Sequence, residues 1–102
     1  MNERIQLSTG FVRAAGYADK LRRTFFAITK GKAEPSEVAK IVAQINMSLF
    51  ELFQKKKIEK NDVVRIRFIF DIVDGKEINI DEKSFQIEIF KYSETISGIN
   101  LK

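Results

Sequence analysis

Ser8-Thr-Gly-Phe-Val-Arg-Ala-Ala-Gly-Tyr-Ala-Asp-Lys-Leu-Arg-Arg-Thr-Phe-Phe-Ala-Ile-Thr-Lys-Gly-Lys32 is the stretch on which the fold turns. Its apolar residues Phe11, Ala14, Ala18, Leu21, Phe25 and Ile28 recur at spacings of three and four, which predicts one face of a helix from about Gly10 to Thr29. Phe26 and Ala15 widen that face, and Ser8 or Thr9 stands ready to cap it. Gly16 falls inside this span, at a cost of roughly 1 kcal/mol against alanine. Lys30-Gly31-Lys32 supplies a cationic last turn and a glycine suited to a left-handed cap. Arg13, Tyr17, Lys20 and Thr24 follow one another at spacings of four, three and four, so on a helix they form a ridge, with Arg23 beside it. Asp19 is the only acid between Gly10 and Ala33.

Upstream, Ile5 and Leu7 alternate with Arg4 and Gln6 in a short strand or extended lead-in. Downstream, Glu34-Pro35-Ser36-Glu37 opens a second helix, with Pro at a first-turn position where its missing N–H costs nothing. Val38, Ile41, Val42, Ile45, Leu49, Leu52 and Phe53 form its buried stripe. Ala39, Ala43, Met47 and Phe50 form a second apolar stripe, turned about 100° from the first. A helix with two such stripes is either sandwiched or shared with a second subunit. Lys55-Lys56-Lys57 complements its dipole.

After Asn61-Asp62 the period changes to two. Val64, Ile66, Phe68, Phe70 and Ile72 alternate with Val63, Arg65, Arg67, Ile69 and Asp71, as in a strand with one buried face. Asp74-Gly75 signals a hairpin, and Glu77–Ile80 is the return strand. Asp81-Glu82-Lys83 reads as another turn, followed by a strand in which Phe85, Ile87 and Ile89 alternate with Gln86, Glu88 and Phe90. Glu94 to Lys102 shows no pattern. The expected fold is α+β: two N-terminal helices on one face of a three- to four-stranded antiparallel meander, in one domain spanning 1–102.

Composition narrows the chemistry. The chain has neither Cys nor His, which removes thiol nucleophiles, redox centres, ordinary zinc sites and the usual general base at neutral pH. No cofactor-binding motif is present. Asp71, Asp74, Asp81 and Glu82 surround the hairpin and could suggest magnesium, yet turns are acidic for turn-forming reasons and no phosphate-cradling motif accompanies them. A non-catalytic protein is expected. No apolar run approaches the roughly 18 residues of a membrane span, and no apolar segment follows the charges at the N-terminus as in a signal peptide. With no Cys, a cytoplasmic setting is expected.

Net charge is +4, unevenly spread. Residues 1–60 hold 12 Lys and Arg against 6 Asp and Glu, and residues 61–102 hold 6 against 8. A basic half suits a polyanion. Three constellations could meet one. The helix-one ridge offers cations for phosphates and a ring for a base, or else is a solvated face. The open sheet face carries Arg65 and Arg67 beside Phe90 and Tyr92, which suits single strands, or else ties its arginines to Glu88. Lys55-Lys56-Lys57 with Lys60 either touches phosphate or simply complements the helix end.

Residues 8–27 resemble the N-terminal signature of the archaeal ThermoDBP-related single-stranded-DNA-binding proteins, and the likeness extends more loosely through helix two and the meander. The resemblance implies a non-OB domain with helices on an antiparallel sheet, and a cleft in which basic residues flank base-stacking aromatics. Arg13, Tyr17, Lys20, Arg22 and Arg23 are the matching positions within the signature. Arg65, Arg67 and Phe90 join them by sheet pattern alone. The expected function is non-catalytic binding of single-stranded DNA or RNA; the rival is an assembly module whose basic half docks an acidic protein. The resemblance also implies oligomerisation, often through an added C-terminal helical segment. No heptad seam is present here, so the expected homodimer or higher oligomer forms through helix two, at Ala43, Met47 and Phe50.

Overall fold

Alternation dictates the centre of the molecule. Every second residue from Val64 to Ile72 is buried, and the strand they form, β2 (Val63–Val73), lies in the middle of a three-stranded antiparallel sheet. The computed structural model describes residues 2–101. Around β2 stand β1 (Glu3–Arg13), a 3-10 turn (Ala14–Gly16), α1 (Tyr17–Thr29), α2 (Pro35–Lys55) and β3 (Glu77–Phe90). The sheet order is β1-β2-β3. Both helices cover one face of the sheet. Leu21 and Phe25 of α1 and Val38, Val42, Ile45, Leu49 and Phe53 of α2 share a core with Leu7, Val64, Ile66, Phe68, Phe70 and Ile72. Phe25 lies tilted against Phe68 and Phe70, with centroids at 5.8 and 4.8 Å, so three rings fill the centre of that core.

The signature stretch departs from the helical reading. Residues 8–13 continue β1, and the helix begins only at Tyr17. Phe11 therefore leaves the helix-one face, and Arg13 leaves the ridge it was expected to form with Tyr17 and Lys20. The cause is a β-bulge. Pairing with β2 runs from Glu3↔Ile72 to Ser8↔Arg67, then resumes at Phe11↔Arg65. Gly10 sits in the bulge at φ +67°, a left-handed conformation that suits glycine. The buried Thr9 fills the interrupted ladder: its Oγ1 accepts the Ile66 N–H at 3.0 Å and donates to the Gly10 carbonyl at 2.8 Å.

A second irregularity replaces the expected turn at Asp81-Glu82-Lys83. Residues 77–90 form one strand whose register shifts between Arg67↔Gln86 and Ile69↔Asp81. Ser84 fills this gap as Thr9 fills the other. Its Oγ accepts the Ile69 N–H at 2.7 Å and donates to the Asp81 carbonyl at 2.6 Å. The third strand of the sheet is thus β1 rather than a separate strand after the hairpin. That hairpin turns on Asp74 and Gly75, both left-handed, with the Lys76 N–H donating to the Val73 carbonyl at 3.2 Å.

Helix α2 starts at the predicted proline and buries Val38, Val42, Ile45, Leu49 and Phe53 of the predicted stripe, with Ile41 and Leu52 half-buried. Its second stripe, Ala39, Ala43, Met47 and Phe50, is exposed. Residues 91–101 follow β3 without helix or strand, and Lys102 lies outside the described residues.

Candidate nucleic-acid interface

The face of the sheet that the helices leave open is set by the Thr9–Gly10 bulge. Leu7 and Thr9 point into the core. Unbroken alternation would send Phe11 and Arg13 after them. The extra residue flips the pleat, so Val12 turns toward the core and Phe11 and Arg13 emerge on the open face. The last rows of the sheet, read across its strands, are then Arg13–Val63–Phe90, Phe11–Arg65–Glu88 and Ser8–Arg67–Gln86.

These rows bring aromatic and cationic groups together. Phe11 is 63% and Phe90 44% exposed, and their rings meet edge to face at 5.4 Å and 66°. The Arg65 guanidinium lies over the Phe11 ring, 4.7 Å from its centroid. Such a contact is worth about 0.5–1 kcal/mol at an exposed site and holds the ring in place. Arg65 Nε donates to Glu88 Oε1 at 2.7 Å, and Arg67 Nη2 lies 3.1 Å from the same oxygen. One carboxylate thus serves two guanidiniums, as the cross-strand pairing in the sequence anticipates, and the cluster keeps a net positive charge. Arg67 Nε is buried without a hydrogen-bond partner among the described residues. Farther along the face, Arg4 bridges Asp71 and Asp81, at 3.2 and 2.9 Å, and with one cation to two carboxylates the cluster is net negative.

The sequence-predicted residues fall into two groups. Arg13, Arg65, Arg67 and Phe90 share the open sheet face with Phe11. Tyr17, Lys20, Arg22 and Arg23 lie on α1, in the layer on the other side of the sheet. Arg22 and Arg23 both pair with Asp19, so the single acid of that stretch answers two of its cations. Tyr17 packs edge to face on Phe53 at 4.8 Å, and burial pushes its hydroxyl above the ordinary phenol range. Tyr92 lies beyond β3 in the exposed tail, where its hydroxyl is 2.7 Å from Thr95 Oγ1. Phe11 is the residue that pattern reading misplaced. Glycine inside an alternating segment was the available signal, since it marks a bulge or turn as readily as a helix start.

Clefts also lie off this face among the described residues. One, of about 510 Å³ between α2 and β3, is lined by apolar residues including Ile41, Leu52, Ile80 and Phe85, with Glu82 as its only charge. Another, of about 470 Å³, lies where α1 begins and α2 ends and includes Tyr17, Phe53, Lys57 and Lys60. Among the described residues no group of acids is arranged to hold a metal ion, and no helix is long and apolar enough to cross a membrane.

Comparison with known proteins agrees with this architecture. The model of a family described as ThermoDBP-related, archaea, matches residues 7–79. The crystal structure of pfuThermo-DBP-RP1 superposes with a TM-score of 0.80 at 48% identity, over 85% of this chain and 58% of that one. That of apeThermo-DBP-RP2 bound to ssDNA dT10 superposes with a TM-score of 0.78 at 36% identity, over 90% of this chain and 44% of that one. The chain therefore spans roughly half the length of these relatives. No curated protein matches it. The matched span runs from the middle of β1 into β3 and takes in the bulge, both helices and the central strand, and by it the chain belongs to the archaeal ThermoDBP-related family.

Proposed function

We propose that this protein binds single-stranded DNA, without catalysis, on the open face of its sheet. The observation that carries this reading is the exposed Phe11–Phe90 pair, held beside Arg13, Arg65 and Arg67. Every base has a π-face, so exposed rings accept bases of any sequence, while guanidiniums take the phosphates between them. A duplex hides its bases in the stack and gains only the phosphate contacts. The relative crystallised with dT10 supports the same choice. The α1 cations Lys20, Arg22 and Arg23 stand behind the sheet, where Asp19 engages Arg22 and Arg23, so they add little to a strand on the open face. RNA offers the same rings and phosphates, and a matched RNA oligomer in the same assay ranks the two.

The test is alanine substitution of Phe11 and Phe90. Each is expected to weaken binding of an oligothymidylate by about 1–3 kcal/mol while leaving the circular dichroism spectrum unchanged. Wild-type affinity in both variants would remove the sheet face from the interface.

The exposed stripe on α2 supports a second copy as partner. Met47 is 67% and Phe50 55% exposed, with Ala43 between them and the start of the helix. Sedimentation of a Met47→Glu variant tests this: a smaller species than wild type is expected, and an unchanged coefficient rules the stripe out. A cytoplasmic setting accompanies the DNA-binding role.

A further inference from the structure

We infer that the outer edge of β3, with the cleft it borders beside α2, is a docking site for an extended segment of a partner protein, one that alternates apolar residues and carries a lysine or arginine. The DNA-binding reading plays no part in this. β3 lies at one side of the sheet, and no strand among the described residues pairs with its outer edge. The register shows which groups that edge offers. The Ile66 N–H turns toward β1, where Thr9 Oγ1 accepts it. Backbone groups of successive strand residues point to opposite sides, so those of Arg65 and Arg67 turn toward β3, where their partners across the ladder are Glu88 and Gln86. Phe85, Ile87 and Ile89 then direct their N–H and carbonyl groups outward. Their side chains pack, half-buried, against the core on the helix side, and Phe85 stacks on Phe68 at 4.5 Å.

Sheet edges are ordinarily blunted by lysine, proline or a bulge. Residues 85–90 carry no proline and no lysine, and their one charge, Glu88, is held by Arg65 and Arg67 on the open face. A strand added here gains main-chain hydrogen bonds, and every second side chain enters the cleft of about 510 Å³ against Ile41 and Leu52 of α2. The charge in that cleft selects the partner. Glu82 is its only charge and has no hydrogen bond or ion pair with a described residue. Lys83 follows it in the strand but does not line the cleft. At the same end of the sheet, on the open face, Arg4 leaves Asp71 and Asp81 with an excess of negative charge. A phosphate backbone is repelled there, and a cationic segment is drawn in. The chain's own tail is led elsewhere. Lys91 Nζ donates to Asp62 at 2.7 Å and to the Lys57 carbonyl at 3.4 Å, beyond the end of α2, and Ile96, Ile99 and Leu101 stay exposed. The α2 stripe assigned to a second copy does not line this cleft.

The probe is a synthetic peptide, Lys-Ile-Ser-Ile-Ser-Ile-Lys, whose end lysines serve either strand direction. It is titrated into the isotope-labelled full-length protein, and backbone amides are read by NMR shift and hydrogen exchange. With the peptide at about ten times its Kd, the Phe85, Ile87 and Ile89 N–H groups should shift and exchange about 10-fold more slowly. Those of Gln86 and Glu88, already turned toward β2, should keep their rates. Exchanging both peptide lysines for glutamate should weaken binding at least about 5-fold at low salt, and Glu82→Gln should weaken the lysine peptide about 1.5- to 5-fold. Ser48→Arg fills the exposed wall of the cleft; it should weaken the peptide about 5- to 150-fold and leave the affinity for an oligothymidylate unchanged. No shift at Ile87 with about 1 mM peptide, or equal affinity for the glutamate peptide, would overturn the inference. So would slow exchange of the Ile87 N–H in the protein alone. If a full-length variant carrying Ile99→Ser and Leu101→Ser relieved it, the edge would belong to the chain's own tail. If it grew with protein concentration, the edge would belong to a second copy.

Discussion

Replacing Glu88 by Gln should strengthen DNA binding. In the free protein the Glu88 carboxylate occupies the two guanidiniums assigned to phosphates, with Arg65 at 2.6 Å and Arg67 at 3.1 Å. These side chains are 27%, 31% and 34% exposed, so water screens the pairs, and each contributes about 0.2–1 kcal/mol rather than the several of a buried pair. A strand that takes both arginines must offset two such contacts, about 0.4–2 kcal/mol together. Glutamine keeps the shape and one acceptor oxygen but removes the charge. The affinity for an oligothymidylate should then rise by about 2- to 30-fold at low salt, with the gain shrinking as salt is added. The native state should lose a comparable fraction of a kcal/mol to at most about 2 kcal/mol, visible as a lower denaturation midpoint. Fluorescence anisotropy across a salt series, paired with urea denaturation, measures both. A variant that loses stability but binds DNA no better would show that Arg65 and Arg67 do not meet phosphate.

Three further outcomes follow from the bulge and the end of the sheet. Thr9→Val leaves the buried Ile66 N–H without its 3.0 Å acceptor and should cost about 1–3 kcal/mol in urea denaturation, with weaker DNA binding because the aim of Phe11 depends on the bulge. Gly10→Ala meets no atom within 4 Å, so its penalty is purely conformational; at φ +67° it should be about 1–2 kcal/mol in the same assay. The Asp62 carboxyl is held below the usual carboxylate range by the hydrogen bond from Lys91 Nζ at 2.7 Å and then by that from the Glu59 N–H at 2.8 Å. Its folded value lies below its unfolded one, so the stabilisation is present above the unfolded value of about 3.9 and is lost as pH falls through the folded value. Thermal midpoints of Asp62→Asn should accordingly vary less with pH below about 4 than those of wild type.

Local pattern carried much of this fold. The period of two from Val63 to Val73 gave the central strand and its open face, and with it Arg65, Arg67 and Glu88 in mutual reach. The Pro35 start and the 3.6-residue spacing gave α2. Asp74-Gly75 gave the hairpin. What pattern could not carry was register between distant segments. Phe11, Ala14 and Ala18 fit a helix by spacing alone, and only pairing with Val63–Arg65, some fifty residues on, makes residues 11–13 a strand. The same holds at Ser84, whose hydroxyl bridges a gap visible only once β3 lies beside β2. Both bulges are held by a single hydroxyl, a residue type that reads equally well as a cap or turn former. The consequence for the site was specific: the ring nearest Arg65 was assigned to the core.

Matched single-stranded and duplex oligonucleotides, titrated by fluorescence anisotropy across a salt series, test the sheet-face interface most directly. With about four phosphates engaged, single-strand binding should fall with a slope near −3 in log K against log salt, and the duplex should bind more weakly at every salt concentration. Equal affinity for the duplex, or no binding even at low salt, would contradict a role for the exposed rings and leave the basic half to an acidic protein partner.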